Sequence, residues 1–503
     1  MKSWRPLLVF LAALVWLSIF QSWGGFSDPD GFYHAKMALL IAHQGPLHAF
    51  PWLDLTTLGS AFADQHLLYH FALVPFVLLW GGEWGTQIAA VFFSAAFVAA
   101  FYVLLRKLRA PMPAFWTALL LVLPHVIFRL TWAKATPLAL ICFFAGMACL
   151  IWRKPWMAFG VGVVYALTHG GWVLLLGCQV LYLVGTWATK TYAFDQPVSA
   201  DARKDALPVL ATVLGIGVGL LIHPNAHELF SFLWTQIVQV AVATPYAHVQ
   251  MGNEWYPPDA DALVSMLVLP FIALTVVGFG MLVSRREPLE RGQATVGAAL
   301  LVAAAGPFAL MLKSMRVLEY ALPMLVLAIA SLARLVDWPL FARRMRELLP
   351  LAATSLLVTV LAVYVGYGDI QAWKAINQSA HPFGRFSLAL AWLHDNAKPG
   401  ERVFESQWDI FPELFYGDDR LKYVSGLDPT FLYAANPALS DGYFALGRGE
   451  ATSTAYHVVH DIAGASYVFV DREESQAFLR NIQADSRFEE VFSNATASIY
   501  LVH

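Results

Sequence analysis

Residues 84–109 read WGTQIAAVFFSAAFVAAFYVLLRKLR. From Trp84 to Leu105 the stretch carries no charge, and it ends on Arg106, Lys107 and Arg109. Crossing the hydrocarbon core of a bilayer takes about 20 apolar residues. Cationic loops stay on the cytoplasmic side. This one stretch therefore sets both a membrane span and its direction.

Working outward, eleven stretches of this kind begin near Pro6, Trp84, Met112, Pro137, Trp156, Gly171, Ala206, Leu263, Ala294, Val317 and Leu348. Placing Arg106-Lys107-Arg109 inside also places Arg153-Lys154, Lys190 with Arg203-Lys204, Arg285-Arg286 and Arg343-Arg344-Arg346 inside. The expected N-terminus is cytoplasmic, as a retained signal anchor, and the expected C-terminus is outside. The chain has 503 residues, of which 58% are hydrophobic and 13% charged. Mean hydropathy is +0.57. These values exclude an ordinary soluble protein. A net charge of -3 gives no footprint for nucleic acid. Cys142, Cys149 and Cys178 all fall inside apolar stretches, so the cysteines form neither a disulfide framework nor a zinc-ligand spacing.

Two segments stand outside the count. His66 to Gly82 is apolar but short and carries His66 and His70; counting it as a span would reverse every later loop. It reads as a juxtamembrane or partly inserted helix. Gly31 to Gln44, with Tyr33, Met37, Leu40 and Ile41 on one stripe, reads as an amphipathic interfacial helix. From about Gly368 apolar runs shorten and charge rises. Arg402-Val403-Phe404 and Tyr467 to Val470 have strand character, and Phe386 to Asn396 lies between as a helix. The expected division is a polytopic α-helical membrane domain, 1–367, with external loops 24–83 and 223–262, followed by an external α/β domain, 368–503.

Residues able to do chemistry collect at the outer ends of the spans: Asp28, Asp30, His34, Arg129, Lys134, His169, His223, Glu254 and Arg316. Asp28-Pro29-Asp30 can coordinate a cation or hold an acceptor. Equally, Asp30 can cap the helix starting near Gly31. Glu254, in Gly252-Asn253-Glu254-Trp255-Tyr256-Pro257, reads as a ligand on a long loop or as an exposed acid. Arg129, Lys134 and Arg316 suit a lipid phosphate, against the alternatives of snorkelling and, for Arg316, local pairing with Glu319 or Tyr320. His169, before Gly170-Gly171, reads as a phosphate donor or a satisfied turn residue, and His223-Pro224 as a helix end.

Taken in order, these pieces resemble the C-type (GT-C) membrane glycosyltransferases, in particular the oligosaccharyltransferase catalytic subunit. Asp28-Pro29 followed by Tyr33 is similar to the family's first acidic motif. Glu254 falls at the place of its loop glutamate. Met315-Arg316-Val317-Leu318 resembles its arginine-bearing helix start, and Gln407-Trp408-Asp409-Ile410-Phe411 falls where it carries Trp-Trp-Asp-Tyr-Gly. Two departures are clear. The family's Trp-Trp-Asp-Tyr-Gly is reduced here to Trp408-Asp409-Ile410-Phe411. The loop where a second acidic motif belongs reads Arg129-Leu130-Thr131-Trp132-Ala133-Lys134, without an acid.

The resemblance implies transfer of a sugar or oligosaccharide, with inversion, from a polyprenyl-(di)phosphate-linked donor to a protein, lipid or glycan acceptor at the outer face. It implies Asp28, Asp30 and Glu254 as catalytic residues and Arg316, Lys134, Arg129 and His169 on the donor phosphate. Trp408, Asp409, Trp255 and Tyr256 would meet the acceptor. Asp28 and Glu254 would hold a divalent cation, Mg2+ or Mn2+. The expected location is a bacterial inner membrane with the C-terminal domain periplasmic. Two other readings stay open: a transporter or flippase of lipid-linked substrate, and an inactive scaffold of the same fold.

Overall fold

The computed structural model describes residues 4–193, 202–243, 249–286, 291–450 and 454–503. Residues 244–248 of the expected external loop and 451–453 of the expected external domain lie outside this set. The chain divides into two compact units. The first comprises Met1–Ser22, Ala90–Leu221 and Glu254–Ser379; the second comprises Trp23–Ala89, Ile222–Asn253 and Ala380–His503.

All eleven expected spans are helices. Among the described residues seven are long and apolar enough to cross a membrane: Gly82–Lys107, Trp172–Ala193, Ala202–Leu221, Ala260–Val283, Arg291–Met311, Met315–Leu335 and Leu351–Gln378. An eighth is a broken pair, Pro113–Leu121 and Pro124–Leu130, bent by 78°. The break follows from Pro124, which disfavours helix for the residue before it; Leu123 is extended. The other three, Arg5–Phe20, Thr136–Ile151 and Pro155–Thr168, are apolar but shorter. The protein is an integral membrane protein.

The first unit is built around Leu318–Leu332, in which every residue is buried. Its sequence is apolar on all faces, the pattern of a helix wrapped by others. Arg291–Met311 and Ala260–Val283 pack on it. Pro155–Thr168 and Ala202–Leu221 approach at backbone distance. A Cβ at Gly162 would come within 2.5 Å of the Thr212 carbonyl, the close contact that small residues permit between membrane helices.

The second unit carries a five-stranded sheet. Its strands are β1 (Arg402–Glu405), β2 (Lys422–Tyr423), β3 (Tyr467–Asp471), β4 (Phe488–Ser493) and β5 (Ala497–Val502), in the order β2-β1-β3-β5-β4. Strand β1 runs parallel to β2 and β3, whereas β5 is antiparallel to β3 and β4. Central β3 is buried along its length, as expected of a strand covered on both faces. A two-residue ribbon, Gly25–Phe26 with His381–Pro382, ties the start of the 23–89 segment to the C-terminal segment.

The helix expected at Gly31–Gln44 runs from Asp30 to Gln44. It is not interfacial in the simple sense. Phe32, Tyr33, His34, Ala35, Met37, Ala38 and Ile41 are all buried by protein. Phe32 and Tyr33 pack against Tyr416 and Phe415 of the same unit. The short apolar helix predicted from His66 is Leu67–Trp80.

Candidate functional site

In the first unit, Arg129 lies near the end of the broken helix pair with its guanidinium 7% exposed. Two carboxylates share it. Nε and Nη2 meet Glu319 Oε2 at 3.0 and 2.9 Å, and Nη1 donates to Glu254 Oε2 at 2.6 Å. Glu319 occupies the first turn of Leu318–Leu332, where the helix dipole favours an acid. The guanidinium lies 4.0 Å over the Trp132 ring, and the Lys134 ammonium 4.5 Å over the same ring.

Glu254 is the hub. Its other oxygen meets Arg316 Nη1 at 2.9 Å, and Lys134 Nζ stands 3.9 Å from Oε2. Arg316 lies over the Trp255 ring at 4.6 Å. The backbone holds this arrangement. Ser314 Oγ donates to the Glu254 carbonyl at 3.0 Å and accepts from Arg316 N at 3.3 Å, and Met315 N donates to the Tyr256 carbonyl at 3.0 Å. The loop with Glu254, Trp255 and Tyr256 is thus strapped to the turn that presents Arg316. Burial works to raise the Glu254 carboxyl, but Arg316, Lys134 and Arg129 outweigh it and hold it well below the carboxylate range.

His169 sits in the turn between Pro155–Thr168 and Trp172–Ala188. Gly171 N donates to its Nδ1 at 2.8 Å, which places the ring proton on Nε2. Burial, then the charge of Arg316, push its pKa down to about 3 against a smaller opposing pull from Glu254. It is a neutral donor at physiological pH. Gly171 is required here, because a Cβ would collide with the Tyr165 and Tyr320 hydroxyls and with His169 Nδ1.

In the second unit, Asp28 Oδ1 accepts from Asp30 N at 3.0 Å, and the Asp28 carbonyl from Gly31 N at 3.2 Å. Asp28 thus organises the helix start, and Asp30 sits in the first turn. The negative charge of Asp28 acts on His381. Burial would lower His381, but its 2.8 Å contact with Glu413 raises it above the ordinary value. Trp408 Nε1 donates to the Gln250 carbonyl at 3.2 Å. Asp409 is raised to about 6, first by burial and then by Glu474, and its Oδ1 is buried without a hydrogen-bond partner among the described residues. His223 Nε2 meets the Asp64 carbonyl at 3.0 Å while its Nδ1 accepts from Asn225 N. This is the helix-end role expected of it.

The predicted cations Arg129, Lys134 and Arg316 therefore converge, with Glu254, Trp255, Tyr256 and His169 around them. Asp28, Asp30, Trp408 and Asp409 belong to the second unit. Sequence reasoning missed Glu319 as the partner of Arg129, although an acid inside an apolar span is itself a signal. It also missed Trp132, the ring beneath two cations, and His381.

Glu254 does not suit a divalent cation. Both of its oxygens are engaged by guanidinium groups, with an ammonium close by, so an added ion would meet three positive charges. A metal can instead be held elsewhere. Among the described residues, His34, His66 and His70 offer ring nitrogens that lie within 4.8 Å of one another.

No protein-family profile matches the chain, and no curated protein sequence is similar to it. Solved structures are similar. The archaeal oligosaccharyltransferase AglB from Archaeoglobus fulgidus, in complex with an inhibitory peptide and a dolichol-phosphate, superposes with a TM-score of 0.64 at 12% identity, over 100% of this chain and 74% of that one. ArnT from Cupriavidus metallidurans, bound to undecaprenyl phosphate, gives 0.59 at 13%, over 99% and 98%. Arabinofuranosyltransferase AftD from mycobacteria gives 0.59 at 15%, over 100% of this chain and 40% of that one. The chain has the fold of the GT-C membrane glycosyltransferases and resembles the oligosaccharyltransferase among them.

Proposed function

We propose that the protein is an integral membrane glycosyltransferase that takes a sugar or oligosaccharide from a polyprenyl-phosphate-linked donor and transfers it to an acceptor at the outer face. One observation carries this reading: Arg129, Lys134 and Arg316 gather on one acidic hub beside a neutral histidine donor. Among the described residues, Glu254 meets Arg129, Lys134 and Arg316, and Glu319 meets Arg129. Arg316 keeps 31% exposure. A half-buried cluster of cations that presents a planar guanidinium matches a phosphate group. The solved relatives whose names include a polyprenyl or dolichol phosphate support the same ligand class.

In this reading Arg316 and Lys134 neutralise the leaving phosphate, and His169 Nε2–H adds a donor that stays neutral throughout the working pH range. Compensating the charge of the departing phosphate is the main chemical demand. Asp28 takes or orients the proton of the acceptor nucleophile as that group attacks the anomeric carbon, and attack opposite the phosphate inverts the centre. Asp30 is the alternative to Asp28. Trp408, Asp409, Trp255 and Tyr256 are the proposed acceptor contacts. We place the protein in a bacterial inner membrane, with residues 368–503 and loops 24–83 and 223–262 periplasmic and the N-terminus cytoplasmic.

The test is sugar transfer by the purified full chain in detergent, with a panel of polyprenyl mono- and diphosphate sugars. Wild type, Arg316→Gln and Asp28→Asn are compared. Turnover of a donor by the wild type is expected. Arg316→Gln should weaken donor binding, and Asp28→Asn should keep binding and lose turnover. Donor binding without turnover across protein, lipid and glycan acceptors would favour a scaffold. Movement of the intact donor across vesicles would favour a flippase.

A further inference from the structure

We propose that His34, His66 and His70 form a binding site for a nitrogen-seeking transition-metal dication of the Zn2+ class. His34 lies in the first half of helix Asp30–Gln44; His66 and His70 flank the first turn of Leu67–Trp80. His34 and His70 are 2% and 0% exposed, and His66 is half-buried. Three imidazoles in one enclosed place are costly unless their nitrogens are used.

The surroundings pre-orient the ligands. His70 Nδ1 lies 2.7 Å from Asp64 Oδ2. A carboxylate can only accept, so Nδ1 carries the proton and Nε2 presents its lone pair. That lone pair points at His34 Nδ1, 2.8 Å away. Asp64 is itself fixed: its Oδ1 accepts from His66 N at 3.0 Å, and its carbonyl contacts His223 Nε2 at 3.0 Å. A carboxylate behind a histidine, holding its tautomer and raising its basicity, is the usual outer support of a metal-ligating imidazole.

The His34–His70 pair needs little movement to admit an ion, and His66 closes on it from within 4.8 Å. Two nitrogens on one tetrahedral zinc, each about 2.0–2.1 Å from it, lie about 3.3 Å apart. His34 Nδ1 and His70 Nε2 are at 2.8 Å, so they need to part by about half an ångström. His34 then shifts its ring proton to Nε2 and turns the Nδ1 lone pair to the ion. Nitrogen-only donation favours Zn2+, Co2+ or Ni2+ over Mg2+ or Mn2+, which want oxygen. Three histidines leave a fourth position for water or a substrate group on the half-exposed His66 side. The bound ion would clamp the helix that follows Asp28-Pro29-Asp30 to the Leu67–Trp80 helix.

The test is metal content and thermal unfolding of the purified full chain in detergent. The protein is stripped with a chelator, reloaded with Zn2+, Mn2+ or Mg2+ and desalted. The wild type is expected to keep a single equivalent of Zn2+, and Zn2+ should raise its unfolding temperature where equal Mg2+ does not. His34→Gln and His70→Gln should each lose the Zn2+, and His227→Gln, whose side chain is 97% exposed, should keep it. Because His70→Gln also breaks the Asp64 contact, the wild-type metal selectivity is read independently of the variants. No retained Zn2+ in the wild type would overturn the proposal, as would undiminished Zn2+ in both His34→Gln and His70→Gln. Equal retention of Mg2+ would do the same.

Discussion

Glu254→Gln is the most informative single change, because two quantities should move in opposite directions. The carboxylate contacts Arg129 at 2.6 Å and Arg316 at 2.9 Å, with Lys134 at 3.9 Å. Breaking a buried ion pair costs about 3–5 kcal/mol. Here the cost should sit at or below the low end, about 2–3 kcal/mol, because Arg129 keeps Glu319 and Arg316 is one-third solvated. The variant should unfold at a lower temperature but still fold. Donor affinity should rise. If the lipid phosphate binds the cations that Glu254 now holds, removing a negative charge about 6 Å away favours the phosphate by about 1.4–2.8 kcal/mol, for an effective dielectric of 40 to 20. That is about 10- to 100-fold tighter binding. The assay is equilibrium binding of polyprenyl phosphate in detergent at fixed ionic strength, without divalent metal. Unchanged or weaker binding would refute the claim that carboxylate and phosphate share these cations.

Other outcomes follow from the same geometry. Glu319→Gln strips Arg129 of a partner that is itself 5% exposed and should cost about 3–5 kcal/mol in thermal or chemical unfolding; the double change Arg129→Met with Glu319→Met should recover most of it. His169 stays neutral down to about pH 3 when folded, whereas the unfolded chain takes up its proton below about 6.5. The wild type therefore loses stability as pH falls through that window, and His169→Gln should flatten the fall in unfolding temperature between pH 7 and pH 5. Asp409 runs the other way: its raised pKa of about 6 means its contribution is lost as pH rises from 3.8 through 6, so Asp409→Asn should raise the unfolding temperature more at pH 8 than at pH 5. Asp54 meets Arg402 at 2.9 Å and Lys422 at 2.7 Å while 28% exposed, and Asp54→Ala should cost only about 1 kcal/mol, with the loss reduced in high salt.

The spans were legible because a bilayer reads composition directly. Every expected span is a helix beginning within a few residues of its predicted place, and the short stretch from His66 proved a separate short helix. Strands β1 and β3 were legible from β-branched and aromatic runs. Pairings were not. Arg316 was weighed against Glu319 three residues on, a helical spacing. The structure instead pairs it with Glu254 and gives Glu319 to Arg129, 190 positions away. Local periodicity holds no information about such contacts. The same limit hid the histidine cluster: His34 stands 36 positions from His70. The stripe read on Gly31–Gln44 misled for another reason. Periodicity marks the most buried face of a helix but does not say how many faces the rest of the fold will cover.

The three cations of the first unit should divide into two roles, and this division separates a phosphate site from a merely structural charge network. Arg129 is 7% exposed, is clasped by Glu319 through two nitrogens and lies on Trp132. A ligand cannot recruit it without leaving Glu319 buried and uncompensated. Arg316 is 31% exposed, and Lys134 stands 3.9 Å from its carboxylate, a longer and weaker contact. Arg316, the more exposed of the two, is the better placed to meet a phosphate. Arg316→Gln should leave unfolding nearly unchanged, within about 0.5–1 kcal/mol, and Arg316→Gln and Lys134→Gln should each weaken polyprenyl phosphate binding about tenfold, the scale of one charge-assisted contact. Arg129→Gln should do the reverse: a large loss of stability, with whatever folds still binding donor through Arg316 and Lys134. Thermal unfolding and donor binding measured on the same three preparations decide it. If all three variants lose stability and binding in proportion, the cluster is a structural ion network and the phosphate binds elsewhere.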